Sequence, residues 1–161
     1  MEILQKELAN TVKELFLLSF IDQDSSRYRE QIAILRHCSD GDCYYGYLWD
    51  FLKNKKPKTE KYCFQFLSSK QKLYLFWDSH SKDRIYITDY WKYPKESVIE
   101  LSGIEFVQYS NTFPEDIYLF DDSFFWSIAF THEYSDKGRR MCFLTRVANV
   151  STGTVRDDNY C

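Results

Sequence analysis

Glycine and proline are scarce in this chain, at 5 and 3 of 161 residues, which leaves little material for the Gly-rich turns that cradle phosphates. No GxxxxGK[ST] loop, GxGxxG turn, HExxH helix or GxSxG elbow occurs, so nucleotide, zincin and nucleophile-elbow chemistry are not expected. No run approaches the roughly 20 apolar residues that a membrane-spanning helix needs. The apolar stretch Leu15 to Ile21 is too short and too late for a signal peptide, and Met1-Glu2 opens without a basic segment. A cytoplasmic protein without membrane association is the expectation.

Charge of one sign is also lacking. A net charge of −3 and a pI near 5.6 give no general attraction to nucleic acid or anionic lipid. The five cysteines, Cys38, Cys43, Cys63, Cys142 and Cys161, are odd in number and irregularly spaced, which points to reduced thiols rather than a disulfide scaffold. Cys38 and Cys43 beside His37 form half of a zinc pattern, but no second pair stands at finger spacing. No metal or other cofactor is therefore expected.

Aromatic residues are abundant: 13 Tyr, 13 Phe and 4 Trp, 19% of the chain. Their large apolar bodies serve either a core or a partner-binding surface. The length suits one domain over 1–161. Within it, 1–54 reads as mainly helical, 61–148 as mainly β-sheet and 151–161 as a polar tail.

Leu4, Leu8, Val12 and Leu15 recur at helical spacing and predict an amphipathic first helix. Asp22, Asp24, Ser25 and Ser26 offer N-cap chemistry for a second helix carrying Tyr28, Ile32 and Leu35. A third short helix or turn is expected from Cys43 to Leu52, followed by a lysine-rich connection, Lys53 to Lys61. Alternation then predicts a hairpin of Tyr62, Phe64 and Phe66 with Leu73, Leu75 and Trp77, and a further strand at Ile85 and Ile87. Ile117 to Phe120, Phe124 to Phe130 and Arg140 to Val147 read as strands, the last two joined by a Ser135-Asp136-Lys137-Gly138 loop. The class is α+β, with N-terminal helices packed on one face of a mostly antiparallel, aromatic-rich sheet.

Few residues carry chemistry in such a chain. His132 and Glu133 are the candidate catalytic pair, since an imidazole and a carboxylate at a sheet margin exchange protons. Against that, neighbouring strand residues point to opposite faces. A hydrogen-bonded histidine at the core edge and a partner contact are the other roles open to His132. Glu115, Asp116, Asp121, Asp122 and Asp136 gather around turns, where they cap the local backbone, meet a basic protein or hold a cation. Tyr118, Asp121, Asp122, His132 and Asp136 are the candidate binding residues. Asp22 and Asp24 open like a calcium loop but lack its glycine and glutamate. Lys53, Lys55, Lys56, Lys58 and Lys61, between Phe51 and Tyr62, match a single-strand nucleic-acid site in composition, but a solvated linker explains them on an acidic protein.

Tyr47-Leu48-Trp49, Tyr62-Cys63-Phe64 and the segment from Asp116-Ile117-Tyr118 through Asp121, Phe124 and Trp126 to Thr131-His132-Glu133 resemble an uncharacterised family of small bacterial proteins. Its pattern is a YLW turn, an aromatic strand and a closing DIYVxDxxFxWTxxxTHE segment. The resemblance spans roughly residues 44–143; Leu119 and Phe120 depart from it, and Ser127 stands for its threonine. It implies a bacterial origin and a shared sheet, and no catalytic residue. In size, charge and class the chain is also similar to small acidic immunity proteins. The leading expectation is a non-enzymatic, protein-binding domain, an immunity-type inhibitor of a toxin or another bacterial protein. The alternatives are a small metal-assisted hydrolase or nuclease using His132 with nearby carboxylates, and a structural domain with no surface activity.

Overall fold

The computed structural model describes residues 1–30, 47–78 and 97–147. The expected strand at Ile85 and Ile87, most of the second helix, the His37-Cys38-Cys43 cluster and the polar tail lie outside the described residues. The elements are β1 (Glu2–Ile3), α1 (Lys6–Phe20), α2 (Ser26–Tyr28), β2 (Lys56–Lys58), α3 (Glu60–Ser68), β3 (Leu73–Trp77), β4 (Ile99–Leu101), α4 (Gly103–Tyr109), β5 (Ile117–Phe120), β6 (Trp126–Tyr134) and β7 (Arg140–Arg146), with 3-10 turns at Leu48–Phe51 and Ser110–Thr112. The strands form one antiparallel sheet in the order β1-β4-β3-β5-β6-β7-β2. The α+β class and the aromatic antiparallel sheet are as the pattern predicts.

Both faces of that sheet are covered, not one. On the first face α1 packs Phe16 and Phe20 against Phe76, Tyr118 and Phe120, with ring centroids 4.8–6.4 Å apart. On the second, Cys63 and Leu67 of α3 and Phe106 of α4 cover Leu75, Leu119, Ile128 and Phe130. The central strands β3 and β5 are consequently buried along their whole length, as strands sandwiched between two layers must be.

The expected hairpin of Tyr62 with Leu73 is corrected: 60–68 is helical, and only 73–77 is a strand. The apolar residues 62, 63, 64, 66 and 67 satisfy a period of two read one way and 3.6 read another. The start signal decides. Thr59 accepts the Tyr62 N–H at 3.2 Å with Glu60 in the first turn, the N-cap arrangement, and Cys63 and Leu67 then fall on one buried face.

Two smaller corrections concern the first half. The buried face of α1 is Ala9, Val12, Phe16, Leu17 and Phe20, while Leu8 and Leu15 stand outside; the phenylalanines bury more area than the leucines and so set the rotation of the helix. The lysine-rich connection contains β2, which pairs Lys56, Pro57 and Lys58 with Leu144, Phe143 and Cys142. Proline and lysine suit an outer strand, because they discourage pairing with another chain.

α4 begins at Gly103 with Ser102 and Glu105 forming a reciprocal capping box. Ser25 caps the start of α2 by accepting the Tyr28 N–H at 3.1 Å. The loop before β7 has Gly138 at φ 66°, a backbone conformation that favours glycine.

Candidate functional site

Four separate stretches of sequence meet on the α1 side of the sheet, around Trp49, Asp78, Asp116 to Tyr118, and His132. Asp116 immediately precedes β5, Asp78 immediately follows β3, and both are buried, 2% and 6% exposed. A carboxylate next to a fully buried strand is costly unless it is hydrogen-bonded, and both are. Asp116 Oδ1 accepts the Trp49 indole N–H at 3.1 Å and the His132 backbone N–H at 3.1 Å. His132 Nδ1 lies 3.0 Å from each Asp116 oxygen. Tyr118 donates its hydroxyl hydrogen to Asp78 and accepts the Trp49 backbone N–H at 2.8 Å. The Asp78 backbone N–H reaches the Asp116 carbonyl at 3.1 Å.

The Leu48–Phe51 turn is thus bound to β5 and β6 through Trp49. Its indole stacks on Phe143, centroids 6.0 Å apart and planes 14° apart, and on Tyr47, 5.4 Å and 22°. The His132 ring sits 4.7 Å from Tyr47 and 6.2 Å from Trp49 by centroid. With 35% of the His132 side chain exposed, the ring joins the buried carboxylate to the surface.

His132 arrives there because β6 is irregular. Phe130 faces Cys142 and Tyr134 faces Arg140, so β6 advances by four residues while β7 advances by two. Bulges of this kind re-aim side chains. Arg140 holds the distortion, donating from Nε to the Thr131 carbonyl at 2.9 Å and from its terminal nitrogen to the Glu115 carbonyl. The objection that His132 and Glu133 must point apart assumes regular alternation, which this stretch lacks.

Lys55 completes the surroundings. Its ammonium donates to the Trp49 carbonyl at 3.0 Å and the Asp50 carbonyl at 3.3 Å, and lies over the Trp49 and Phe143 rings at 5.4 and 4.9 Å. Burial lowers its pKa, Asp50 and Glu133 oppose that, and Arg27 adds to it. Glu133 therefore contributes to the field at Lys55 while its own side chain is exposed.

The predicted residues divide accordingly. His132 is brought into the cluster. Tyr118 is corrected: its ring is fully buried, so it supports the site from beneath. Asp121 is occupied locally, accepting from Ser123 and from the Trp126 indole at 2.7 Å, which is the turn-capping role. Asp122 and Asp136 are exposed, in the separate turns before and after β6. Among the cations, Lys53 caps the Leu18 carbonyl at 2.9 Å and Lys58 lies over Tyr62 at 4.8 Å. Asp22 and Asp24 supply backbone contacts, to Phe51 and Arg29. Among the described residues no group of three or more His, Cys, Asp or Glu is placed to hold a metal ion.

Sequence reasoning missed Asp78, placed Lys55 in a lysine-rich linker, and grouped Asp116 with the turn carboxylates that cap the backbone, meet a basic partner or hold a cation. The available signal was position: each aspartate borders a strand apolar on both faces. Trp49, Asp116, Tyr118 and His132 are joined by hydrogen bonds. Comparisons with known protein families, with curated proteins and with solved structures give no match.

Proposed function

We propose that the chain is a non-enzymatic binding protein that grips a protein partner through the face around His132, in the manner of an immunity-type inhibitor covering a bacterial toxin. The observation that carries this reading is the locking of two partly exposed rings: Asp116 holds His132 and the indole of the buried Trp49, and Tyr47 packs against both. Side chains locked before binding lose little entropy on association, and rigid aromatic anchors supply a large share of interface energy. Lys55 and Glu133 at the border provide charges of both signs, which select a complementary partner more than they add affinity.

The test is affinity capture from the native host with tagged wild-type chain, beside Tyr47→Ala and His132→Ala. The expected result is one protein enriched by the wild type and reduced roughly tenfold or more by Tyr47→Ala, as for an interface hot spot. Enrichment of nothing above background, or equal enrichment by both variants, overturns the reading. The immunity role is tested by co-expression: the captured partner arrests growth alone and not with this chain.

One observation favours a second reading, acid–base chemistry in a small hydrolase or nuclease. Asp116 fixes the His132 ring through Nδ1, leaving Nε2 to accept a proton from water or a hydroxyl group. Phosphodiester and ester hydrolysis by purified chain is the assay, and a rate unchanged in His132→Ala removes this reading.

A further inference from the structure

α1 carries a second apolar stripe that the core does not use. Leu8, Leu15 and Leu18 are 50%, 41% and 66% exposed, along a stripe that borders the buried face beside Val12 and turns away from Phe16 and Phe20. Their spacing of seven and three, with Thr11 between, is that of heptad a and d positions. Thr11 spends its hydroxyl on the Glu7 carbonyl at 3.0 Å, so it offers the seam its methyl group rather than an unsatisfied polar atom. The seam runs straight for about 15 Å at 1.5 Å per residue. An isolated exposed leucine needs no explanation, but several aligned along one helix do.

The charges along the seam select its occupant. Glu7 and Glu14, both exposed, each stand one residue before a seam leucine, the g positions of the heptad. A second copy docked antiparallel across a two-fold axis would set these glutamates on the same side of the seam, like charge on like, and one docked parallel would face them with Val12 and Ser19, which offer no cation. An anionic lipid surface meets the same repulsion, whereas membrane-surface helices flank their apolar stripe with lysine and arginine. A helix with its own apolar stripe and basic flanks complements both features.

We infer that the outer face of α1 is a docking seam for an amphipathic, basic-flanked helix of a partner protein. The inference goes beyond the His132 face: it concerns a separate surface, while resting on the same reading of the chain as a protein-binding domain.

The test uses the full chain with methyl-labelled leucines and two synthetic helical peptides of about three heptads, both with leucine at a and d, one with lysine and the other with glutamate at e and g. The lysine peptide is expected to shift the Leu8, Leu15 and Leu18 methyl signals saturably and to bind roughly tenfold or more weakly to Leu15→Asp, while the glutamate peptide shifts none. Leu15 faces solvent, so circular dichroism of Leu15→Asp is expected to match the wild type. Equal binding of both peptides, or shifts confined to other leucines, overturns the inference. So does a dimer in sedimentation that Leu15→Asp dissociates, or co-sedimentation with phosphatidylserine vesicles. His132→Ala is expected to leave peptide binding unchanged, so failure at α1 and failure at the His132 face are read separately.

Discussion

His132 Nδ1 lies 3.0 Å from both oxygens of Asp116, a carboxylate only 2% exposed that also accepts the Trp49 indole N–H. This fixes which ring nitrogen carries the hydrogen in the neutral ring: a carboxylate accepts, so Nδ1 donates and Nε2 is bare. Nitrogen NMR of the labelled imidazole is expected to show a protonated Nδ1 and a pyridine-type Nε2. The opposite assignment would remove the basis for acid–base chemistry at Nε2.

Asp116→Asn keeps the shape of the side chain but turns one acceptor into a donor among groups that all donate. Leaving a buried donor unsatisfied costs about 1–3 kcal/mol; the Trp49 indole and the His132 backbone N–H both go to Oδ1, so an amide nitrogen at the Oδ2 position acts on the His132 Nδ1 contact. Urea unfolding is expected to show destabilisation of about 1–3 kcal/mol, with a smaller loss for His132→Ala because that ring is partly exposed.

Gly103 permits the close approach of α4 to α3. A Cβ there would stand 1.8 Å from the Leu67 carbonyl oxygen and 2.7 Å from its carbon, and neither backbone atom swings aside as a side chain would. Alanine in a helix is ordinarily favoured over glycine by about 1 kcal/mol, whereas overpacking costs about 1–3 kcal/mol or more. The clash wins. Gly103→Ala is expected to lower the melting temperature, and an unchanged or raised value would show that the helices can separate without loss.

How much of this was legible in the sequence depends on how many periods each segment could satisfy. Trp126 to Phe130 alternates large residues with Ser127 and Ala129, which suits only a strand. Residues 62–67 suited two structures, and the choice rested on Thr59, a cap that alternation does not weigh. The rotation of α1 was hidden because Leu8 and Leu15 extend the apolar pattern as well as Phe16 and Phe20 do; only ring volume against β3 and β5 separates them. His132 was found as a residue type. Its carboxylate partner was not, because Asp116 comes from another strand end and because the β6 bulge suspends the alternation used to orient His132.

Cys63 and Cys142 are buried opposite each other on α3 and β7. A hydrogen bond with Cys63, and then burial, push the Cys142 thiol well above its ordinary range, so little thiolate is available to react. In native protein a maleimide is expected to leave both unlabelled, and in denaturant to label both. Peptide mapping by mass spectrometry distinguishes them from the other three cysteines. Labelling of either without denaturant would mean that α3 opens from the sheet at low cost.

Glu105 closes the α4 capping box and also accepts the Met1 ammonium at 2.6 Å. That ammonium first, and the Ser102 backbone and hydroxyl next, lower the carboxyl from 4.5 to about 2. With the folded value below the unfolded one, the unfolded chain binds the extra proton between them. The contribution is present in full above about pH 4.5 and disappears as the pH falls through about 2. Because the carboxylate is solvent-exposed, water and salt screen the interaction and keep it small. The stability difference between wild type and Glu105→Gln, followed by urea unfolding down this range, is expected to narrow with acid and to shrink in high salt. A difference that is constant with pH would assign the effect of the substitution to helix capping geometry and none of it to charge.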